Sequence, residues 1–237
     1  MAASEAEGEA HQNRTDGNLG EQVFAKVRAD ILSLALVPGQ AISERDLQAT
    51  YGASRTPIRQ ALLQLSHEGL VVRTDRSYAV APIDLQQMAE IFEYREVVED
   101  AAIRLACERA SAAELDAIRE TIDRGLADFT PEVWFEVGYD VHVQLAALSG
   151  NRFLRDAVKD VVTRTARARW LVASSPEGRE ASHREHCDIL GLVRAGRADD
   201  AAAAIREHGR DVRDQIMEAI GERRRYFGAQ GIVVRSA

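Results

Sequence analysis

Three histidines, His142, His186 and His208, are the side chains in this sequence best suited to hold a metal ion. Neutral imidazole is a borderline donor that suits zinc, nickel, iron or manganese. Each stands in an apolar or alanine-rich stretch of helical period, and the three fall in three different helical segments. Taken singly, each reads more simply as a hydrogen-bonded polar residue or a surface group. Together they form a candidate site, because a bundle can turn side chains inward from facing helices onto one ion. A second set is cationic. In "YGASRTPIRQALLQLSHEGL", Arg55 and Arg59 stand one turn apart with Pro57 between them. A helix N-terminus already carries partial positive charge, so two arginines there are unfavourable for the isolated helix. They make sense where an anion or a base edge arrives at that end.

The elements that must position these groups follow from period and punctuation. Val23, Val27, Ile31 and Leu34 recur at three- and four-residue steps, which predicts a helix over 19–36, stopped by the turn pair Pro38-Gly39. Ser43 is the expected N-cap of a short helix, 44–50, which Gly52 ends. Ser54 is the expected N-cap of the next, its hydroxyl accepting from first-turn amides. Pro57 fits that first turn, because its missing N–H would have had no intrahelical partner. Ile58, Ala61, Leu62 and Leu65 form the apolar stripe. Beyond Gly69, the runs 70–73 and 78–81 flank the polar "TDRS" and predict a hairpin, with Arg76 at a tip that can reach the DNA backbone or the minor groove. Two helices joined by a tight turn, with basic groups opening the second, make the geometry that enters a major groove.

From Asp84 the apolar period is helical to about Tyr226, without strand alternation. Six helices are expected, over 85–109, 112–127, 131–148, 153–173, 177–195 and 198–224. Breaks fall at Ser111, "SGN", "SSPEG" and "RAGRAD". The fold class is therefore mainly α: an N-terminal winged helix-turn-helix over 19–82 and an antiparallel helical bundle over 83–225. Residues 1–18 read as a disordered acidic tail and 226–237 as a C-terminal tail.

The chain has 237 residues, enough for one large domain or two modest ones. No apolar run approaches the roughly 18 residues of a membrane span. The start "MAASEAEGEAHQNRTDGNLG" lacks a basic opening and an apolar core, so no secretory leader is expected. Cys107 and Cys187 are far apart and outside any CxxC. They read as small buried hydrophobes, in a reduced cytoplasmic setting. The net charge of -8 argues against a general nucleic-acid coat protein. Residues 19–82 nevertheless hold seven Lys/Arg against six Asp/Glu, with Arg45, Arg55, Arg59 and Arg76 in one stretch. A local basic face on an acidic chain fits a DNA reader that relies on specific contacts and a second subunit.

"VPGQAISERDLQATYGASRTPIRQALLQLSHEGLV" resembles the winged helix of GntR-type transcription regulators, with Pro-Gly, "ERDL", "SRTPIRQAL" and "EGLV" in order. The resemblance implies DNA contacts for Arg45, Arg55, Thr56 and Arg59. Ser54 at the helix entrance and a wing around Arg76 and Ser77 complete the expected DNA-binding set. Two positions depart: Gln60 stands where the family has Glu, and Ser77 where it has the more permissive Gly. "YREVVEDAAIRLA", "HVQLAALSGN" and "EHCDILGLVRAGRADDAAAAIREH" resemble the FCD effector domain of the FadR branch. Many members of that domain hold a divalent metal with one Asp and three His. The histidines carry over to His142, His186 and His208, while the Asp position is Gly138. Glu136, Asp140 and His183 are the candidate substitutes. Asp140 lies two residues before His142 and so on another face, and His183 lies one turn before His186.

Arg95, His142, His186 and His208 are the expected effector-binding set. Arg95 matches the family's first-helix arginine, or else serves a structural ion pair with Glu99. "TRTARARW" adds three arginines, of which only some can face inward. An arginine fork beside a metal suits a carboxylate. Without a metal, the histidines would take an anion as imidazolium. The expected protein is a homodimeric regulator of operator DNA, not an enzyme. A small carboxylate would be its effector and one divalent ion (Zn, Ni or Mn) its cofactor, with no membrane partner. Repression relieved by ligand is expected, with activation as the alternative. A metal-sensing regulator is the nearer rival. A His-site metalloenzyme is the remoter one, since HExxH, a nucleophile motif and a clear general base are all missing.

Overall fold

A computed structural model describes residues 19–75, 77–130, 141–223 and 231–233. The described chain divides into two compact units, the first running to Ile83 and including 231–233, the second beginning at Asp84. The first opens with α1 (residues 19–32), which buries Val23, Val27, Ile31 and Leu32. The helix stops four residues before the expected end. Leu34 takes a left-handed φ of 64°, and the amide of Leu36 bonds back to the carbonyl of Asp30. A left-handed residue cannot continue a right-handed helix, so Leu32 rather than Leu34 completes the buried stripe.

Strand β1 (Ala41–Ile42) precedes α2 (Glu44–Tyr51) and α3 (Arg55–His67). Ser43 caps α2 by accepting from the amide of Asp46 at 3.1 Å. Gly52 ends α2 at φ 66°, a conformation that favours glycine. Ile58, Ala61, Leu62 and Leu65 of α3 are buried as their spacing requires. The wing is β2 (Val71–Arg73) and β3 (Tyr78–Val80), antiparallel with Val71 opposite Val80, in a sheet of order β1-β3-β2. Strand β4 (Ile83–Asp84) pairs with β5 (Ile232–Val233), a strand inside the stretch expected to be a tail. Two-residue strands are too short to show alternation, which is why β1 and β5 escape a sequence reading.

The second unit is helical: α4 (Leu85–Arg109), α5 (Ala112–Ala127), α6 (described over 141–147), α7 (Arg152–Ala173), α8 (Pro176–Arg194) and α9 (Ala198–Arg223). Its helix starts are capped where the sequence changes period. Asp84 accepts from two α4 amides, Ser111 and Glu114 form a reciprocal capping box on α5, Asn151 caps α7 and Ser175 caps α8. Ile103, Leu115, Ile118, Val141, Leu145, Ile189 and Ile205 knit α4, α5, α6, α8 and α9 into one apolar core. Among the described residues, no helix is long and apolar enough to cross a membrane. Cys107 and Cys187 are half-buried at the edge of that core rather than fully buried.

Candidate DNA-reading face and histidine pocket

The first unit presents Arg45, Ser54, Arg55, Thr56 and Arg59 as exposed side chains along α2 and the opening of α3. Two expectations need correction. Ser54 takes the extended N-cap conformation, but its hydroxyl makes no capping bond. The N3 residue is Pro57, which has no N–H to donate, so half of the usual capping targets are missing. The Ser54 hydroxyl is thereby left at the surface. Nor is Arg59 unpaired: its Nε donates to Glu44 Oε1 at 2.8 Å, while the side chain stays 66% exposed. That carboxylate raises the Arg59 pKa and orients the guanidinium without hiding it. Ser77 immediately precedes β3. Its hydroxyl donates to the Ile42 carbonyl at 2.5 Å and ties the wing to β1, a bond no glycine could make. Arg76 lies outside the described residues.

In the second unit, α6, α8 and α9 bring His142, His186 and His208 together. Ring centroids are 5.0 Å (His142–His186), 5.3 Å (His142–His208) and 4.8 Å (His186–His208) apart. Their candidate ligand nitrogens all lie within 4.8 Å of one another. All three are buried. The α4 helix closes one side. Arg95, 1% exposed, donates from Nε to Glu99 Oε1 at 3.0 Å and lies with Nη2 3.0 Å from His142 Nε2. Arg95 is thus the buried ion-pair partner of Glu99 and also touches His142. Glu99 Oε1 is also 3.1 Å from His142 Nδ1, and Glu185 Oε2 is 2.6 Å from His208 Nδ1.

Electrostatics keep the trio neutral. Burial, then the charges of Arg95 and Arg169, holds the His142 imidazole well below its usual range. Burial, then His208 and Arg169, does the same at His186. Burial, with Arg95 beside it, brings His208 down to about 3. The imidazolium mode of anion binding is thus disfavoured. A neutral ring with a carboxylate on Nδ1 carries its proton there, and its Nε2 lone pair is available. Glu99 and Glu185 favour that tautomer on His142 and His208, but the His142 Nε2 then accepts from Arg95 Nη2 at 3.0 Å, so a metal there would have to displace the guanidinium. Among the described residues, the buried Nε2 atoms of His186 and His208 have no hydrogen-bond partner, nor has Arg95 Nη1. Orphaned buried polar atoms are costly and ask for a missing partner. The donor set fits a divalent ion with three imidazole ligands and an open position.

A cleft lined by Arg169, Gly178, Ser182, Glu185 and Gln215 opens onto His186 and His208. Arg169 and Arg167, on α7, are the inward arginines of "TRTARARW", whereas Arg164 is exposed and paired with Asp160. Burial, with Arg95 nearby, lowers Arg169 to about 9, so it stays cationic at neutral pH. His183 does not lean into the site. Its Nε2 lies 2.8 Å from Asp123 Oδ1 on α5. Glu136, Gly138 and Asp140 lie outside the described residues. Glu185 is the pocket residue that the sequence reading did not name, while Glu99 entered only as an ion-pair partner of Arg95 and Arg169 only as one of three arginines. Glu99 had a signal, one turn from Arg95 on the same face.

Arg95→Met tests the structural half of this arrangement. Removing one partner of a buried pair strands the other, at a cost of about 3–5 kcal/mol. The urea midpoint should fall accordingly, and Arg95→Met/Glu99→Leu should recover most of the loss. Equal destabilisation in the single and double variants would show that the pair is not the cause.

The fold and the two sites describe a DNA reader joined to a helical ligand domain, and comparison with known proteins agrees. Residues 19–79 match the model of bacterial regulatory proteins of the gntR family, and residues 90–211 match the FCD domain. The chain is 30% identical over 186 residues to the Nta operon transcriptional regulator of Aminobacter aminovorans, covering 77% of this chain and 87% of that one. It is 21% identical over 221 residues to the HTH-type transcriptional repressor RspR of Escherichia coli K12, covering 90% and 95%. The solved structure of E. coli McbR/YncC superposes with a TM-score of 0.67 at 18% identity, over 87% of this chain and 98% of that one. This chain belongs to the GntR family of bacterial transcription regulators, with an FCD effector domain. Its relatives are DNA-binding regulators, not enzymes.

Proposed function

We propose that this regulator is a cytoplasmic homodimeric repressor of the FadR branch, released from its operator by a small carboxylate bound at a three-histidine metal site. Residues 19–82 form its DNA-binding domain and 83–225 its effector domain. The observation that carries the reading is the convergence of the orphaned Nε2 atoms of His186 and His208 on His142, beside two buried arginines. His142, His186 and His208 would hold the ion, which when bound supplies a Lewis-acidic position for one carboxylate oxygen. Glu99 and Glu185 would fix the Nδ1 protons of His142 and His208, leaving Nε2 for the ion once Arg95 releases the His142 nitrogen. Arg169 and Arg95 supply guanidinium forks for the carboxylate. A ligand that draws Arg95 away from His142 loosens a tie between α4 and α6. Differential binding to two such arrangements is what shifts operator affinity. On the DNA side, Arg45, Ser54, Arg55, Thr56 and Arg59 contact the duplex, with Arg76 and Ser77 in the wing.

The test is titration of the zinc-loaded full chain with a panel of small mono- and dicarboxylates, followed by operator binding with each hit. At least one acid should bind, bind more weakly to His142→Ala, and change operator affinity about 5- to 150-fold. Failure of every acid, or equal binding to His142→Ala, would overturn the carboxylate reading. An operator response to zinc alone would make the ion itself the signal.

A further inference from the structure

A second set of metal-type donors lies outside the histidine pocket and shares no residue with it. Asp123 of α5 faces His183 and Cys187 of α8, two helices packed side by side. His183 Nε2 is 2.8 Å from Asp123 Oδ1, and Cys187 Sγ is 3.9 Å from both ring nitrogens of His183. One ligand atom from each residue lies within 4.8 Å of the others. His183 and Cys187 are one turn apart on the same helix, the spacing that presents two donors to one point. Asp123 is half-exposed, and the other two are partly buried, so the group is preassembled yet open to solvent.

We propose that Asp123, His183 and Cys187 form a second transition-metal site, for Zn(II) or a similar borderline ion, that staples α5 to α8. Sulfur, nitrogen and oxygen donors at these separations need only small rotations. Bonds of roughly 2.0–2.3 Å in a tetrahedron put neighbouring ligand atoms roughly 3–4 Å apart. The thiolate selects zinc or cobalt over magnesium and calcium, which take oxygen ligands. Binding converts the Cys187 thiol to a thiolate and releases one proton to solvent. Asp123 enters ionised and His183 neutral, and a water completes the shell. Arg119, whose Nε now donates to both Asp123 oxygens at 3.1 and 2.9 Å, gives up one of them. Both partners of that pair are about half exposed, so it holds the carboxylate weakly.

The experiment is a Co(II) titration of the full chain, followed by the near-ultraviolet thiolate-to-cobalt charge-transfer band. The histidine pocket contains no sulfur, so this band reports the second site alone and is independent of the reading of the first. The band should saturate once a single site per chain is filled, at no more than two added equivalents because the histidine pocket also takes cobalt, and vanish in Cys187→Ser. His183→Gln and Asp123→Asn should weaken the site about tenfold or more. Cys107→Ser and His142→Ala should leave it unchanged. Zinc should bleach the band by displacement. No band in the reduced wild-type chain, a band that survives Cys187→Ser, or one lost in Cys107→Ser would overturn the proposal.

Discussion

Arg55→Ala and Arg59→Ala should each weaken operator binding about 5- to 150-fold, the equivalent of roughly 1–3 kcal/mol for a lost bidentate base contact. The two losses have different origins. Arg55 is exposed at the first position of α3, where its side chain adds to the helix's own positive end. Arg59 is oriented by Glu44 before any DNA arrives. Removing it also leaves the Glu44 carboxylate facing the phosphates without its partner, so Arg59→Ala should be the more severe change. Arg59→Ala/Glu44→Gln should regain part of the loss. Anisotropy titrations at one fixed salt concentration, on an operator recovered by in vitro selection, would check this. Thermal midpoints of all variants should stay within a few degrees of wild type, because both arginines are exposed. Wild-type affinity in both single variants would mean that α3 does not read the operator in this way.

The second large effect is acid sensitivity of the metal-free effector domain. The folded-state pKa values of His142, His186 and His208 all lie below the ordinary value of 6.5, with His208 at about 3. A base whose pKa is depressed by folding binds its proton more readily in the unfolded chain. Stability is therefore fully present above the unfolded value and falls as pH drops through it. Each such histidine adds a slope of about 1.4 kcal/mol per pH unit, so three together reach roughly 4 kcal/mol per unit on the acid side of pH 6. Urea midpoints measured on chelator-treated protein from pH 7.5 to 5 should fall steeply below about 6.5. His186→Gln should flatten the slope by about one third. A midpoint that does not change between pH 7 and pH 5 would mean that the trio is not buried and neutral.

Much of this was legible in the sequence because local chemistry and global fold agree. Ser43, Gly52, Ser111, Asn151 and Ser175 each mark a helix boundary with the group the backbone requires. The three histidines were legible as a set because each sat in a separate helical segment. The failures have local causes. Leu34 leaves the right-handed region although nothing in its own side chain demands it. Ser54 looks like a cap, but Pro57 removes one of the amides it would cap. Glu185 precedes His186 by one residue and so reads as another face, yet it reaches His208 on α9. His183 is three residues from His186 and four from Cys187, and spacing alone cannot say which neighbour it joins. The packing of α5 on α8 decides for Asp123 and Cys187. Helical period puts Arg169 on the buried stripe with Val161 and Thr165, but it does not distinguish exposed Arg164 from buried Arg167, one turn further on.

The most direct measurement is the metal content of the purified, untagged Cys187→Ser chain by elemental mass spectrometry, beside Cys187→Ser/His142→Ala. The serine removes the thiolate site, so what remains reports the histidine pocket. About one equivalent of a divalent metal, lost in the double variant, is the predicted result. It would establish that the histidine pocket holds an ion although Gly138 stands in place of the family's aspartate. No metal after incubation with zinc, nickel or manganese would contradict it. The pocket would then be one in which Arg95 and Arg169 alone receive the effector.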